Sequence, residues 1–131
     1  MEDPIKVTEQ GIRDLKVDLE KALQSLAEVK AQQIRSSREL TAYQKRATDY
    51  EQKAVLLLKR AESGELEMTE ADRLASEALR RKEHADKDAA LHQREARRYD
   101  ASVEQLENTV DTLKANITTW ENELRTLKSR M

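Results

Sequence analysis

The chain has 131 residues, of which 38% are charged and 37% hydrophobic, with two glycines, one proline and no cysteine. Its 24 basic and 26 acidic side chains leave a net charge of −2, and this balance, with so little proline and glycine, argues against a disordered polyelectrolyte. Two glycines are also too few for the turns of a sandwich, barrel or doubly wound fold. The composition therefore indicates long helices whose cores are narrow apolar stripes.

The first predicted element is a long helix over about residues 4–61. Asp3 can cap its N-terminus, and Pro4 fits the first turn because the N–H that proline lacks has no partner there. From Ile12 onward, apolar residues recur at alternating steps of three and four, which is the heptad pattern of a coiled coil. Two positions of this series are polar: Gln33 and Ser36.

A short turn over about residues 62–68 is predicted to follow. Gly64 suits the position just after a helix, where a left-handed backbone favours glycine. Thr69 with Asp72 resembles a capping box that begins a second helix over about residues 69–129. The apolar series of this second helix has two polar members: Lys82 and His92.

These two series predict an all-α fold, an antiparallel coiled-coil hairpin, because a short connection makes consecutive helices antiparallel neighbours. In such a hairpin, residues at the same level on the two helices have numbers with a constant sum, here predicted to be about 129. This pairing puts large residues opposite small ones near the turn, as with Tyr43 and Ala85. The same register places Gln33, Ser36 and His92 in one polar layer. We interpret this layer as a register lock. The alternative is a pH-sensitive weak point, since histidine titrates near neutrality.

The sequence carries no pattern typical of an active site. His84 and His92 share a helical face with Asp88, but eight residues separate the histidines by about 12 Å along a helix, too far for one ion. There is no HExxH motif, glycine-rich phosphate loop or nucleophile elbow. We therefore expect a protein that is not an enzyme and has no metal or cofactor.

Charge is uneven along the chain, with an acidic turn and a basic second helix. Much of this charge is expected on a solvated helix surface. The alternative is an acidic tip and a basic shaft that dock between subunits, giving head-to-tail assembly. The acidic residues are Glu62, Glu65, Glu67, Glu70 and Asp72, and the basic ones are Arg80, Arg81, Lys82, Arg94, Arg97 and Arg98.

Three parts of the chain carry a family resemblance: residues 2–4 (EDP) with 9–15 (EQGIRDL), residues 47–54 (ATDYEQKA) and residues 74–79 (LASEAL). In order and spacing they resemble the hairpin of the phage shock protein A family, which includes the vesicle-inducing protein in plastids. The sequence departs from that family in a longer turn and in Tyr50, where tryptophan is common. The resemblance implies the hairpin core of a longer protein, with the family's N-terminal amphipathic helix and C-terminal helices outside this chain.

The resemblance also implies a function. It predicts an ESCRT-III-like scaffold of the membrane stress response, which polymerises on membranes to protect or remodel them from the cytoplasmic face of the inner membrane. The implied partners are further copies of the chain, and membrane lipids bound through a segment missing here.

Two other interpretations remain. One is a regulatory module that inhibits an enhancer-binding AAA+ transcription activator. The other is a generic coiled-coil arm whose basic shaft binds nucleic acid, although the acidic composition argues against nucleic acid as a partner. The residues expected to make protein contacts are Glu2, Asp3, Pro4, Arg13 and Asp14 at the base, and Glu62, Gly64, Glu65 and Glu67 at the tip.

Overall fold

The computed structural model describes residues 3–131 and contains two helices, α1 over Pro4–Glu62 and α2 over Met68–Ser129. Glu2, one of the predicted contact residues, lies outside the described residues. The helices pack against each other along an interior of mostly apolar side chains, and residues 3–131 contain no strand. The predicted all-α hairpin is therefore confirmed.

Contacts divide the chain into two packed units. The tip unit comprises Gln33–Arg98, and the base unit comprises the flanking segments, up to Gln32 and from Tyr99.

The core of the base unit is aliphatic. Its central cluster consists of Ala22, Leu26, Val103 and Val110, with half-buried leucines and a valine packed around it. Two ion pairs join the helices across the edge of this core, Lys16 with Glu121 at 3.9 Å and Lys30 with Glu107 at 3.6 Å.

The core of the tip unit is built mainly of alanine. Because the separation of packed helices depends on the side chains between them, the small alanine side chain allows a close approach. At the edge of this core Lys82 lies 3.9 Å from Glu51, and its side chain is 31% exposed. The buried apolar residues are Ala47, Ala54, Leu57, Ala71, Ala75, Ala78, Ala85 and Ala89.

The predicted apolar series forms the seam between the two helices. Every position of this series on α1, from Ile12 to Ala61, is buried or half-buried, as predicted. On α2 the seam positions Met68 and Trp120 are exceptions, 53% and 37% exposed. Met68 is the first residue of its helix. The ring of Trp120 lies against Gly11.

The turn ends α1 in a Schellman motif, which uses backbone donors to satisfy the last carbonyls of a helix. Gly64 has φ +81°, and its N–H donates to the Ala61 carbonyl at 3.2 Å while that of Glu65 donates to the Arg60 carbonyl at 2.9 Å. The prediction for Gly64 is thus confirmed. The prediction that Thr69 caps α2 is wrong, because α2 already begins at Met68.

Candidate protein-interaction surfaces

At the base of the hairpin, Asp3 caps α1. Its Oδ1 accepts a hydrogen bond from the Ile5 N–H at 3.0 Å, directly before Pro4 opens the helix. The other two predicted contact residues of this end, Arg13 and Asp14, are exposed and tied together by Gln10. The Gln10 Oε1 accepts from Arg13 Nη2 at 2.8 Å, and its Nε2 donates to Asp14 Oδ1 at 2.9 Å. The two charges are thereby held on one exposed face.

The same end contains a close contact that sequence reasoning missed. The Trp120 ring covers the backbone of Gly11 so closely that a Cβ there would lie less than 3 Å from three ring carbons. Beside this contact is an open groove lined by Asp3, Lys6, Val7, Gln10, Gly11, Asp14 and Trp120. A glycine inside a predicted helix was the available signal, since glycine often marks a close approach of another group to the backbone.

At the tip, the predicted contact residues Glu62, Gly64, Glu65 and Glu67 are all exposed. Glu65 lies 3.5 Å from the Nε of Arg60, so its charge is paired within the turn. Within residues 3–131, neither Glu62 nor Glu67 forms an ion pair.

Next to the tip, Glu70 and Arg73 form an ion pair in the first turns of α2. Hydrogen bonding from Arg73, and then its positive charge, lowers the pKa of Glu70. The predicted acidic tip therefore contains both paired and unpaired carboxylates.

In the predicted polar layer, Ser36 is buried and His92 is half-buried, and the two are not hydrogen-bonded through Ser36 Oγ or His92 Nδ1. Ser36 is 4% exposed, and neither its Oγ nor the Nδ1 of His92 has a hydrogen-bond partner in the described part of the chain. His92 instead stacks on Tyr43, with ring centroids 4.9 Å apart and 16° between planes. Its Nδ1 lies 3.3 Å from Glu39, without hydrogen-bond geometry. Gln33 is half-buried in the same unit.

The arginines of the basic shaft are exposed, Lys82 is half-buried, and part of this charge is unpaired. Arg81 pairs with Glu77 at 3.0 Å, whereas Arg94, Arg97 and Arg98 form no ion pair with any described residue. Three guanidinium groups on α2 are therefore available to an acidic surface.

Two kinds of feature, a metal-ion cluster and a membrane-spanning helix, do not occur in the described part of the chain. Residues 3–131 contain no cluster of three histidine, cysteine, aspartate or glutamate side chains arranged to hold a metal ion. No helix in the same part of the chain combines the length and apolar character needed to span a bilayer.

A model of the PspA/IM30 family matches residues 1–131. The chain belongs to the PspA/IM30 family. Membership places the hairpin in a structural, stress-response family of the phage shock protein type, whose members associate peripherally with membranes. No curated protein matches the chain.

Proposed function

We propose that this PspA/IM30-family hairpin serves a membrane-stress-response scaffold that polymerises on the cytoplasmic face of the inner membrane. In this proposal the assembly is ESCRT-III-like and protects or remodels the membrane. The main support is the family match over the whole chain. The hairpin fits this role because a narrow apolar stripe on each helix is enough to form its core. Most of its surface is therefore left for contacts between copies.

The charges on the two helices support a head-to-tail contact. Glu62 and Glu67 at the tip, and Arg94, Arg97 and Arg98 on the shaft, have no ion pairs within residues 3–131. Exposed pairs contribute only about 0–1 kcal/mol each. Several together steer two surfaces into one orientation, and repetition along a polymer multiplies their effect.

Charge reversal tests this contact in the full-length protein. We expect Glu62→Lys with Glu67→Lys to reduce polymers formed with phosphatidylglycerol–phosphatidylethanolamine vesicles, measured by sedimentation and electron microscopy. Adding Arg94→Glu and Arg97→Glu should restore them, because the opposite charges again face each other. A matched control is Glu20→Lys with Glu104→Lys, which reverses two exposed carboxylates of the base unit.

If reversing the charges of Glu62 and Glu67 leaves the polymers unchanged, the head-to-tail contact is wrong. Absence of polymers from the unmodified protein, with or without vesicles, would contradict the scaffold. The regulatory alternative has a different readout, inhibition of an enhancer-binding AAA+ ATPase, which requires no polymer. Inhibition at concentrations where no polymer forms would favour that alternative.

A further inference from the structure

The outer face of α1 in the tip unit carries an uncharged stripe with a seven-residue repeat. Two of its members are 54% and 47% exposed apolar residues. The other two are threonines whose hydroxyls donate to the carbonyls of Ser37 and Gln44 at 3.0 and 3.1 Å, which leaves their methyl groups for a partner. A seven-residue repeat is typical of a helix that faces another helix. The stripe consists of Ile34, Thr41, Thr48 and Val55.

This stripe faces away from α2. Ala54 and Leu57, on the same helix, are 2% and 7% exposed because they form the seam with α2. Val55, between them in sequence, lines an open groove of about 540 Å³ on the outer surface, together with Thr48, Glu51, Gln52, Leu56 and Lys59. No residue of α2 lines this groove.

Two lysines flank the groove at heptad spacing. Lys59 lines one end, and Lys45 lies two heptads earlier on the same side of the helix. Both are exposed, and neither forms an ion pair with any residue from 3 to 131. The groove therefore presents Val55 and Leu56 beside the unpaired Lys59, and Lys45 adds a second unpaired positive charge outside the lining. The one carboxylate of the lining, Glu51, lies 3.9 Å from Lys82.

The matching pattern occurs on α2 of the same unit. Leu79 is 47% exposed, and an aspartate lies one heptad before it and another one heptad after it, Asp72 and Asp86. Asp72 has no ion pair within the described residues, and Asp86 is 3.9 Å from Lys82. An antiparallel alignment that sets Lys59 against Asp72 also sets Lys45 against Asp86, and it centres Leu79 on the groove at Gln52.

We propose that the outer groove of α1 binds Leu79 of a second copy, with Lys45 and Lys59 of one copy against Asp86 and Asp72 of the other. This is knob-into-hole packing reinforced by flanking charges. The two surfaces differ, so the contact is heterologous and can repeat from copy to copy. The inference rests on the proposed scaffold function and supplies a lateral contact for it.

The absence of cysteine from the chain allows a direct test by cross-linking. Gln52→Cys and Leu79→Cys are prepared in separate samples of the chain, one carrying a mass tag, then mixed and oxidised. We expect a mixed disulfide dimer at least about tenfold more abundant than with the matched control, Gln52→Cys with Leu91→Cys. Leu91 is also a strongly exposed α2 leucine, at 58%.

Charge reversal gives an independent test. We expect Lys45→Glu with Lys59→Glu to weaken self-association about tenfold by sedimentation velocity, because like charges then face each other. Asp72→Lys with Asp86→Lys should weaken it similarly, and all four changes together should restore it. Circular dichroism of each variant checks that the helices remain folded.

The outcomes separate this contact from the scaffold function. If the unmodified protein assembles but the mixed dimer does not exceed the control and reversal has no effect, the lateral contact is wrong and the scaffold stands. If the unmodified protein does not assemble, both proposals fail. If Lys45→Glu with Lys59→Glu abolishes binding to phosphatidylglycerol vesicles without changing self-association, the groove binds lipid and the proposal is overturned.

Discussion

The base and tip units follow the same heptad pattern with different side chains. The base unit buries Leu26, Val103 and Val110, whereas the tip unit buries alanine at most of the corresponding positions. A fully buried leucine or valine contributes roughly 1.5–3 kcal/mol, and a methyl side chain contributes much less. The base unit therefore holds the larger share of hydrophobic stabilisation, and we expect the tip unit to open first.

The two units also differ in the polarity of the ion pairs between helices. In the base unit α1 supplies the cations, as in the pair of Lys30 with Glu107. In the tip unit α1 supplies the anion, as in the pair of Glu51 with Lys82. A slipped register that moved residues of one unit against the other would bring like charges together. This reversal therefore favours a single alignment of the helices.

The largest expected effect is on the aliphatic core. Leu26→Ala should lower the free energy of unfolding by about 2–5 kcal/mol, because it leaves a cavity among well-packed neighbours. Urea unfolding followed by circular dichroism measures it. The same substitution at Leu56, which is 59% exposed, should change stability by less than about 0.5 kcal/mol. Equal losses at the two sites would contradict the assignment of the core.

Overfilling the alanine core should have a somewhat smaller effect. Ala78 is 3% exposed, and Ala78→Leu should destabilise the tip unit by about 1–3 kcal/mol because the helices must move apart. Hydrogen exchange should show the loss in Gln33–Arg98 amides. Ala90→Leu, at an exposed position on the same helix, is the control. Stabilisation by Ala78→Leu would show that the alanine layers leave empty space between the helices rather than being closely packed.

How much of this structure could be predicted differs between the seam and its edges. The seam followed from sequence because burial repeats with the heptad, whatever residue fills a position, as Ser36 shows. The sum of two residue numbers alone could not predict which side chains meet along the edges of the seam. The cross-helix contacts join residues whose numbers sum to 131–137 rather than the predicted 129 or so.

That offset has a physical cause in the direction of helical side chains. Each Cα–Cβ bond tilts toward the N-terminus of its own helix. In an antiparallel pair the two tilts point in opposite directions, so contacting residues lie farther toward their C-termini than a level pairing suggests. His92 and Tyr43 lean toward each other in this way, which explains why His92 meets Tyr43 instead of forming a hydrogen bond with Ser36.

The contact between Gly11 and Trp120 allows the same test of overpacking in the base unit. Alanine normally stabilises a helix by about 1 kcal/mol relative to glycine. We expect Gly11→Ala instead to destabilise the protein by about 1–2 kcal/mol, a typical cost of overpacking, because the added methyl group collides with the indole. Tryptophan fluorescence should shift as the ring is displaced, which is readable since the chain has one tryptophan.

A double-mutant cycle separates this clash from backbone effects. In a Trp120→Ala background the collision is absent, so Gly11→Ala should become stabilising. If Gly11→Ala has the same effect in both backgrounds, the ring does not determine the need for glycine.

The smallest expected effect concerns the exposed pair of Glu70 and Arg73 beside the tip. Arg73 lowers the pKa of Glu70, so the pair's contribution is present above the ordinary glutamate range and is lost as pH falls through the lowered pKa. Carboxyl chemical shifts measured during acid titration should show a low midpoint for Glu70 that rises in Arg73→Gln. The same change should leave the unfolding of the base unit unaffected, because both residues belong to the tip unit. A midpoint that Arg73→Gln does not move would mean that the pair is not formed in solution, and acid would then loosen the start of α2 no more than the rest of the hairpin.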